Sequence, residues 1–176
     1  MAVAAAPSVD ALADAEVTLS LTALKYARYA RGGRITDPAT QLSSYLDRKP
    51  QLIDAKDVVE KLAAAGEPDA YLRSLHPKHP QFEKLRQALL ANKGKPLARK
   101  ILANMEEWRW MGDLGEVHVM ANVPEFMVYL VKDGARIHTE RIVVGETGKQ
   151  TSIFSRNLKT IVFKPMWRVP DSIKAY

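Results

Sequence analysis

Apolar residues recur at helical spacing through the first half of the chain. Leu19, Ala23, Tyr26 and Ala30 fall at i, i+4, i+7 and i+11, which predicts a helix over 15–30. Arg31-Gly32-Gly33 ends it, because glycine takes the left-handed C-cap conformation cheaply. Residues 34–52 read as irregular, with Asp37-Pro38 opening a short helix to about residue 46. Asp54 is the N-cap of a second helix, Asp57 suits the positive end of its dipole, and Val58, Leu62 and Ala65 form its apolar face before Gly66. Glu67-Pro68 begins a short helix through Leu75. His76-Pro77-Lys78-His79-Pro80 is a rigid link, since each proline pushes its predecessor toward extended backbone. Phe82, Leu85 and Leu89 then stripe another helix, and Leu97, Ile101, Met105 and Trp108 a further one.

Beyond Met111 the period changes from helical to alternating. Val117, Val119 and Ala121 alternate with His118, Met120 and Asn122, as in a half-buried strand. Residues 126–131 are apolar and β-prone, Asp133-Gly134 is a short hairpin signal, and 135–144 supplies the return strand. Residues 145–151 form a polar loop, and the β-branched stretch 158–164 reads as another strand. Helices first and strands afterwards indicate an α+β chain rather than a βαβ sheet. The Asn-Lys-Gly-Lys-Pro stretch at 92–96 is the clearest boundary between the two halves.

Composition narrows the classes. At 176 residues the chain can bury about 70% of its unfolded surface, enough for a core. No run approaches the roughly 20 apolar residues of a bilayer helix, so no membrane span is expected. No basic segment followed by an apolar run opens the chain, so no signal peptide is visible. The chain has no cysteine, which removes disulfides, thiolate metal sites and a cysteine nucleophile. The net charge of +6 is concentrated in the second half. Lys149, Arg156, Lys159, Lys164 and Arg168 lie between residues 147 and 170 with no acidic residue among them. Such a strip attracts anionic partners over about one Debye length, unless it is simply a solvated face.

The candidate chemistry is thin. His76 and His79 are three apart, but proline follows each and no carboxylate lies in the link, so the segment is read as a turn and no metal site or cofactor is expected. His118 and His138 have no partner assignable from sequence. Glu106 and Glu107 diverge by about 100° on a helix and are read as solvated. Gly145, Gly148 and Lys149 lack the spacing and following helix of a phosphate loop. Trp108-Arg109-Trp110 suggests base stacking, but Trp108 completes the apolar stripe begun at Leu97, leaving only Trp110 as a free platform; no nucleic-acid partner is expected.

A resemblance then emerges. Asn104-Met105-Glu106-Glu107-Trp108-Arg109-Trp110-Met111, Asp113-Leu114-Gly115 and Val119–Phe126 resemble the opening of the catalytic domain of multidomain L,D-transpeptidases, the YkuD type. Arg141–Gly145, Gln150-Thr151, Phe154-Ser155 and Val162–Ile173 continue it in the same order. The upstream helices, with Leu19-Ser20-Leu21-Thr22 and the paired His-Pro steps before Phe82, are similar to that family's scaffold domain. The chain departs from the family at Thr151-Ser152, where Thr-Pro is usual, and at Lys164-Pro165-Met166-Trp167, where Asn-Pro-Tyr-Trp is usual.

The resemblance implies a disordered tail over 1–13, a helical scaffold domain over 14–92, a linker and leading helix over 93–116, and an incomplete mainly-β catalytic domain over 117–176. It implies peptidoglycan stem peptides as partners and a periplasmic location for an intact family member; it does not indicate an oligomeric state. Met166 and Trp167 are candidate substrate-groove residues, because an aromatic after a strand end is a common platform, unless Trp167 is simply core. The implied reaction is acyl transfer through a cysteine thiolate activated by histidine, with the thioester resolved by an acceptor amine. The family motif, a His followed by Ser-His-Gly-Cys-x-Arg, is absent from these residues. Ser155 and Ser172 have no identifiable base, so no catalytic residue is assigned and the chain is expected to be inactive by itself, cut before the active site. The alternative reading is a non-catalytic module that docks on cell wall or protein through the 147–170 strip, with nucleic-acid binding ranked behind it.

Overall fold

A computed structural model describes residues 8–166, 168–169 and 171–174. Helix α1 spans Val9–Ala30, with the Ser8 hydroxyl accepting from the Ala11 amide at 3.2 Å and Asp10 in the first turn. It therefore starts inside the segment expected as a tail. Its C-terminus closes as expected: Gly32 sits at φ +84° and the Gly33 amide donates to the Arg28 carbonyl at 2.9 Å.

Helices α2 (Pro38–Gln41), α3 (Ala55–Ala64) and α4 (Pro68–Ser74) follow, α2 being shorter than the sequence pattern suggested. Ala27 and Ala30 of α1 pack with Val58 of α3 and Leu75 after α4, flanked by Leu24, Ile53, Tyr71 and Leu72. Alanines at this contact let the helix backbones approach closely. Helices α5 (Pro80–Ala91) and α6 (Leu97–Trp110) share a second core of Phe82, Ile101 and Met105. Residues 92–96, read from sequence as a boundary, are thus the turn of a helical hairpin. The Asn92 side chain and the Lys95 amide hold that turn through bonds to the carbonyls of Ala88 (2.8 Å) and Asn92 (3.0 Å).

Two separate contacts bind the α6 end to the rest. Trp110 is 3% exposed and its indole N–H donates to the Gly32 carbonyl at 3.2 Å. It is not the free platform that the sequence suggested, because the glycine at α1's end leaves room for the ring. Gln51 makes the second: its side-chain Nε2 donates to the Trp110 carbonyl at 3.4 Å, while its backbone N–H donates to the Arg31 carbonyl at 2.9 Å and Arg31 Nε donates to the Gln51 carbonyl at 2.7 Å.

The alternating segment forms an antiparallel meander of β2 (Val117–Asn122), β3 (Met127–Lys132) and β4 (Ala135–Arg141), with β1 (Leu46–Asp47) lying earlier in the chain. Asp133 at φ 51° and Gly134 at φ 76° make the hairpin turn the dipeptide signalled. Val119, Leu130 and His138 share a register line, and a bulge falls between Leu130 and Val131. Phe126 belongs to the left-handed cap after the 3₁₀ turn Val123–Glu125, so β3 starts one residue later than its apolar run.

The short strand β5 (Ile153–Phe154) pairs in parallel with β1, matching Leu46 with Ile153 and Asp47 with Phe154. This ladder ties the strand half to the helical half. The expected strand at 158–164 does not form: those residues are exposed and have no ladder. Their β-branched composition suits a sheet, but among the described residues no strand edge lies against them. A final helix, α7, spans Asp171–Lys174.

Candidate functional site

The residues singled out from sequence do not converge. Met166 is 89% exposed, and Trp167 lies outside the described residues. Lys149, Arg156, Lys159, Lys164 and Arg168 of the basic strip are all exposed. Arg156 is not free on it, for its guanidinium pairs with Asp47 beside the β1–β5 ladder. The Gly145–Thr151 loop closes on itself: the Gly145 amide donates to the Thr151 hydroxyl at 2.7 Å, and a Cβ on Gly145 would collide with the Lys149 carbonyl. It leaves no cradle for a phosphate. Ser155 is exposed, and its carbonyl accepts from Arg156 at 2.9 Å.

The polar groups that do gather lie around α5, α6 and the start of the sheet. The ring of His79 stacks on Trp108 at 4.2 Å between centroids, and His79 Nδ1 accepts from the Gln81 amide at 3.2 Å, capping α5. The HPKHP link is therefore a helix-starting device, as the proline pattern implied. Burial, and secondarily the charge of His118, hold the His79 pKa below its ordinary value. His118 on β2 has both ring nitrogens buried and without partners among the described residues.

His76 is hydrogen-bonded to the Tyr26 hydroxyl at 2.8 Å and stacks on Phe82 at 5.7 Å. Burial, and then Arg109, lower its pKa. Arg109 lies 5.3 Å over the Phe82 ring and pairs with Glu106 at 2.6 Å, both side chains nearly buried. Glu106 is thus an interior charge rather than a solvated one, while Glu107 is exposed. The sequence signal for it was Glu106 and Arg109 three apart on a helix, the spacing at which side chains meet.

These contacts brace the junction and do not assemble a reaction centre. Among the described residues no histidine bonds a serine or threonine hydroxyl, and the Thr40 hydroxyl that donates to Asp37 at 2.8 Å belongs to the exposed cap of α2. Among them too, no group of three histidine or carboxylate side chains is arranged to hold a metal.

Helices packed on two small cores, followed by a meander tethered back through β1 and β5, define a scaffold joined to the start of a β-rich unit. Comparison with known families identifies both parts: a model described as Scaffold domain matches residues 2–89, and one described as L,D-transpeptidase catalytic domain, YkuD, matches residues 116–176. The chain belongs to the scaffold-bearing L,D-transpeptidase family, whose catalytic domain acts on peptidoglycan peptides. No curated protein and no solved structure matches it. Among the described residues no helix is long and apolar enough to cross a membrane.

Proposed function

We infer that these 176 residues supply the scaffold and the first sheet of an L,D-transpeptidase and carry out no acyl transfer themselves. One observation carries the reading: the family reaction runs through a thiolate, and the sequence contains no cysteine. Among the described residues no histidine lies within hydrogen-bond distance of a serine hydroxyl, which supports the same reading. The role left is to position. The Trp110 junction precedes the meander and the β1–β5 ladder follows it, and the stem-peptide groove of a periplasmic enzyme would be built on that support, with Met166 and Trp167 at its side.

The test is incubation with a tetrapeptide donor and, separately, with a carbapenem. No D-alanine release and no mass increase on the protein are expected. Release of D-alanine or a covalent adduct overturns the reading. The exposed cations of the 147–170 segment favour a second role, retention on the cell wall. Purified sacculi should then hold the protein at low salt and release it at high salt; absence of retention at low salt rejects this role.

A further inference from the structure

Helix α1 runs well past the core it serves. Ala23, Ala27 and Ala30 are buried, whereas every residue from Val9 to Leu19 is exposed. That outer part is not polar all round. Val17, Leu21 and Leu24 follow one another at helical spacing on one side, with Val17 59% and Leu21 63% exposed. Val17 and Leu21 line a shallow groove, and Leu24 lines a cleft of about 770 Å³ between α1 and α3.

Charge divides along the same side. Asp10 and Asp14 lie at the N-terminal end of the apolar track, and Lys25 and Arg28 at the other, with Arg34 beside them in the cleft. None of the residues lining that cleft is acidic. Lys25, Arg28 and Arg34 form no ion pair among the described residues. Lys25 and Arg34 both lean over the Tyr29 ring, at 5.9 and 4.9 Å from its centroid. Arg28 is held from behind, its Nε donating to the Gly33 carbonyl at 3.1 Å, so the fork of its guanidinium is oriented in advance.

This layout is self-complementary. A two-fold axis across an antiparallel helix pair matches residues placed symmetrically about one point. The pairs Asp10 with Arg28, Asp14 with Lys25, Ala13 with Leu24 and Val17 with Leu21 are all centred within half a residue of Leu19. Turned over on a second copy, the acidic turns of one α1 meet the unpaired cations of the other while the apolar positions meet between them.

We propose that α1 is a dimerisation helix: two copies of this chain associate through antiparallel α1 helices, each placing Asp10 and Asp14 against Lys25 and Arg28 of the other. An anionic membrane fits the same surface poorly, since the acidic end of the track would be repelled and the cations sit in a concave cleft.

Sedimentation velocity over a range of protein concentrations tests this. A reversible dimer is expected, weakened by salt. Lys25→Glu and Asp14→Lys, both at exposed positions, should each weaken association about tenfold, since each reverses two ion pairs per dimer. An equimolar mixture of the two variants should recover a heterodimer. Leu21→Asp should leave a monomer with unchanged far-ultraviolet circular dichroism. Because the chain has no native cysteine, mixing Val17→Cys and Leu21→Cys chains under mild oxidation should give a cross-linked heterodimer. A monomer at all concentrations, a dimer indifferent to Leu21→Asp, or charge variants that fail to rescue each other would overturn the proposal.

Discussion

Gly32→Ala isolates the contact that fastens α6 to α1. The residue sits at φ +84°, and a Cβ there would lie 2.5 Å from Trp110 Cδ1 and 2.8 Å from its Nε1. Three costs add. A non-glycine residue in the left-handed region costs about 1–2 kcal/mol. Displacing a packed indole costs about 1–3 kcal/mol, and weakening its bond to the Gly32 carbonyl about 1 kcal/mol. The sum is about 3–6 kcal/mol, which for a chain of this size lowers Tm by about 6–24 °C.

The control is Gly94→Ala, at φ +77° with no atom within 4 Å of the added Cβ. It keeps the backbone strain and omits the clash, so it should cost only about 1–2 kcal/mol. Calorimetry or urea unfolding of both variants reads the difference, and near-ultraviolet circular dichroism follows the Trp110 environment. Equal destabilisation by the two substitutions would refute the packing argument and leave backbone conformation as the whole effect.

Three further outcomes follow from the junction and the strand half. Glu106→Leu should destabilise by about 3 kcal/mol in urea, since it leaves Arg109 buried without its partner, and adding Arg109→Met should recover most of that loss; additive destabilisation would contradict it. The lowered pKa values of His76 and His79 mean that both are held neutral in the fold. Stability from them is complete above about pH 6.5, where the unfolded histidines are also neutral, and falls as the pH drops through that value toward their lowered folded pKa values. A urea midpoint unchanged between about pH 7.5 and about pH 5.5 would refute this; His79→Asn, which keeps a capping side chain, should flatten the slope. Limited trypsin should cut first at Arg156 or Lys159, exposed and outside any ladder beyond β5, before Lys93 in the hydrogen-bonded α5–α6 turn; the reverse order of cleavage would contradict it.

Much of this molecule was legible in its residues because the signals are local. The 3.6-residue recurrence of Leu97, Ile101 and Met105, the Asp54 cap and the Asp133-Gly134 turn each report bonds made within a few residues, and each element forms where the pattern puts it. The ordered motifs from Asn104 onward marked the family, and the missing thiol could be seen without any coordinates.

What sequence left undecided were meetings between distant segments. Nothing in Leu46-Asp47 announces a parallel partner at Ile153-Phe154, because a two-residue strand has no period to detect. The apolar stretch 158–164 shows the opposite case: its residues favour a sheet, but a ladder also requires an edge delivered by another part of the chain. Trp110 and Glu106 looked exposed on a helical wheel, and only docking of α6 against α1 and α5 turned them inward. Periodicity says which face of a helix is apolar; which neighbour covers that face, and which charge is buried with it, is decided when the helices pack.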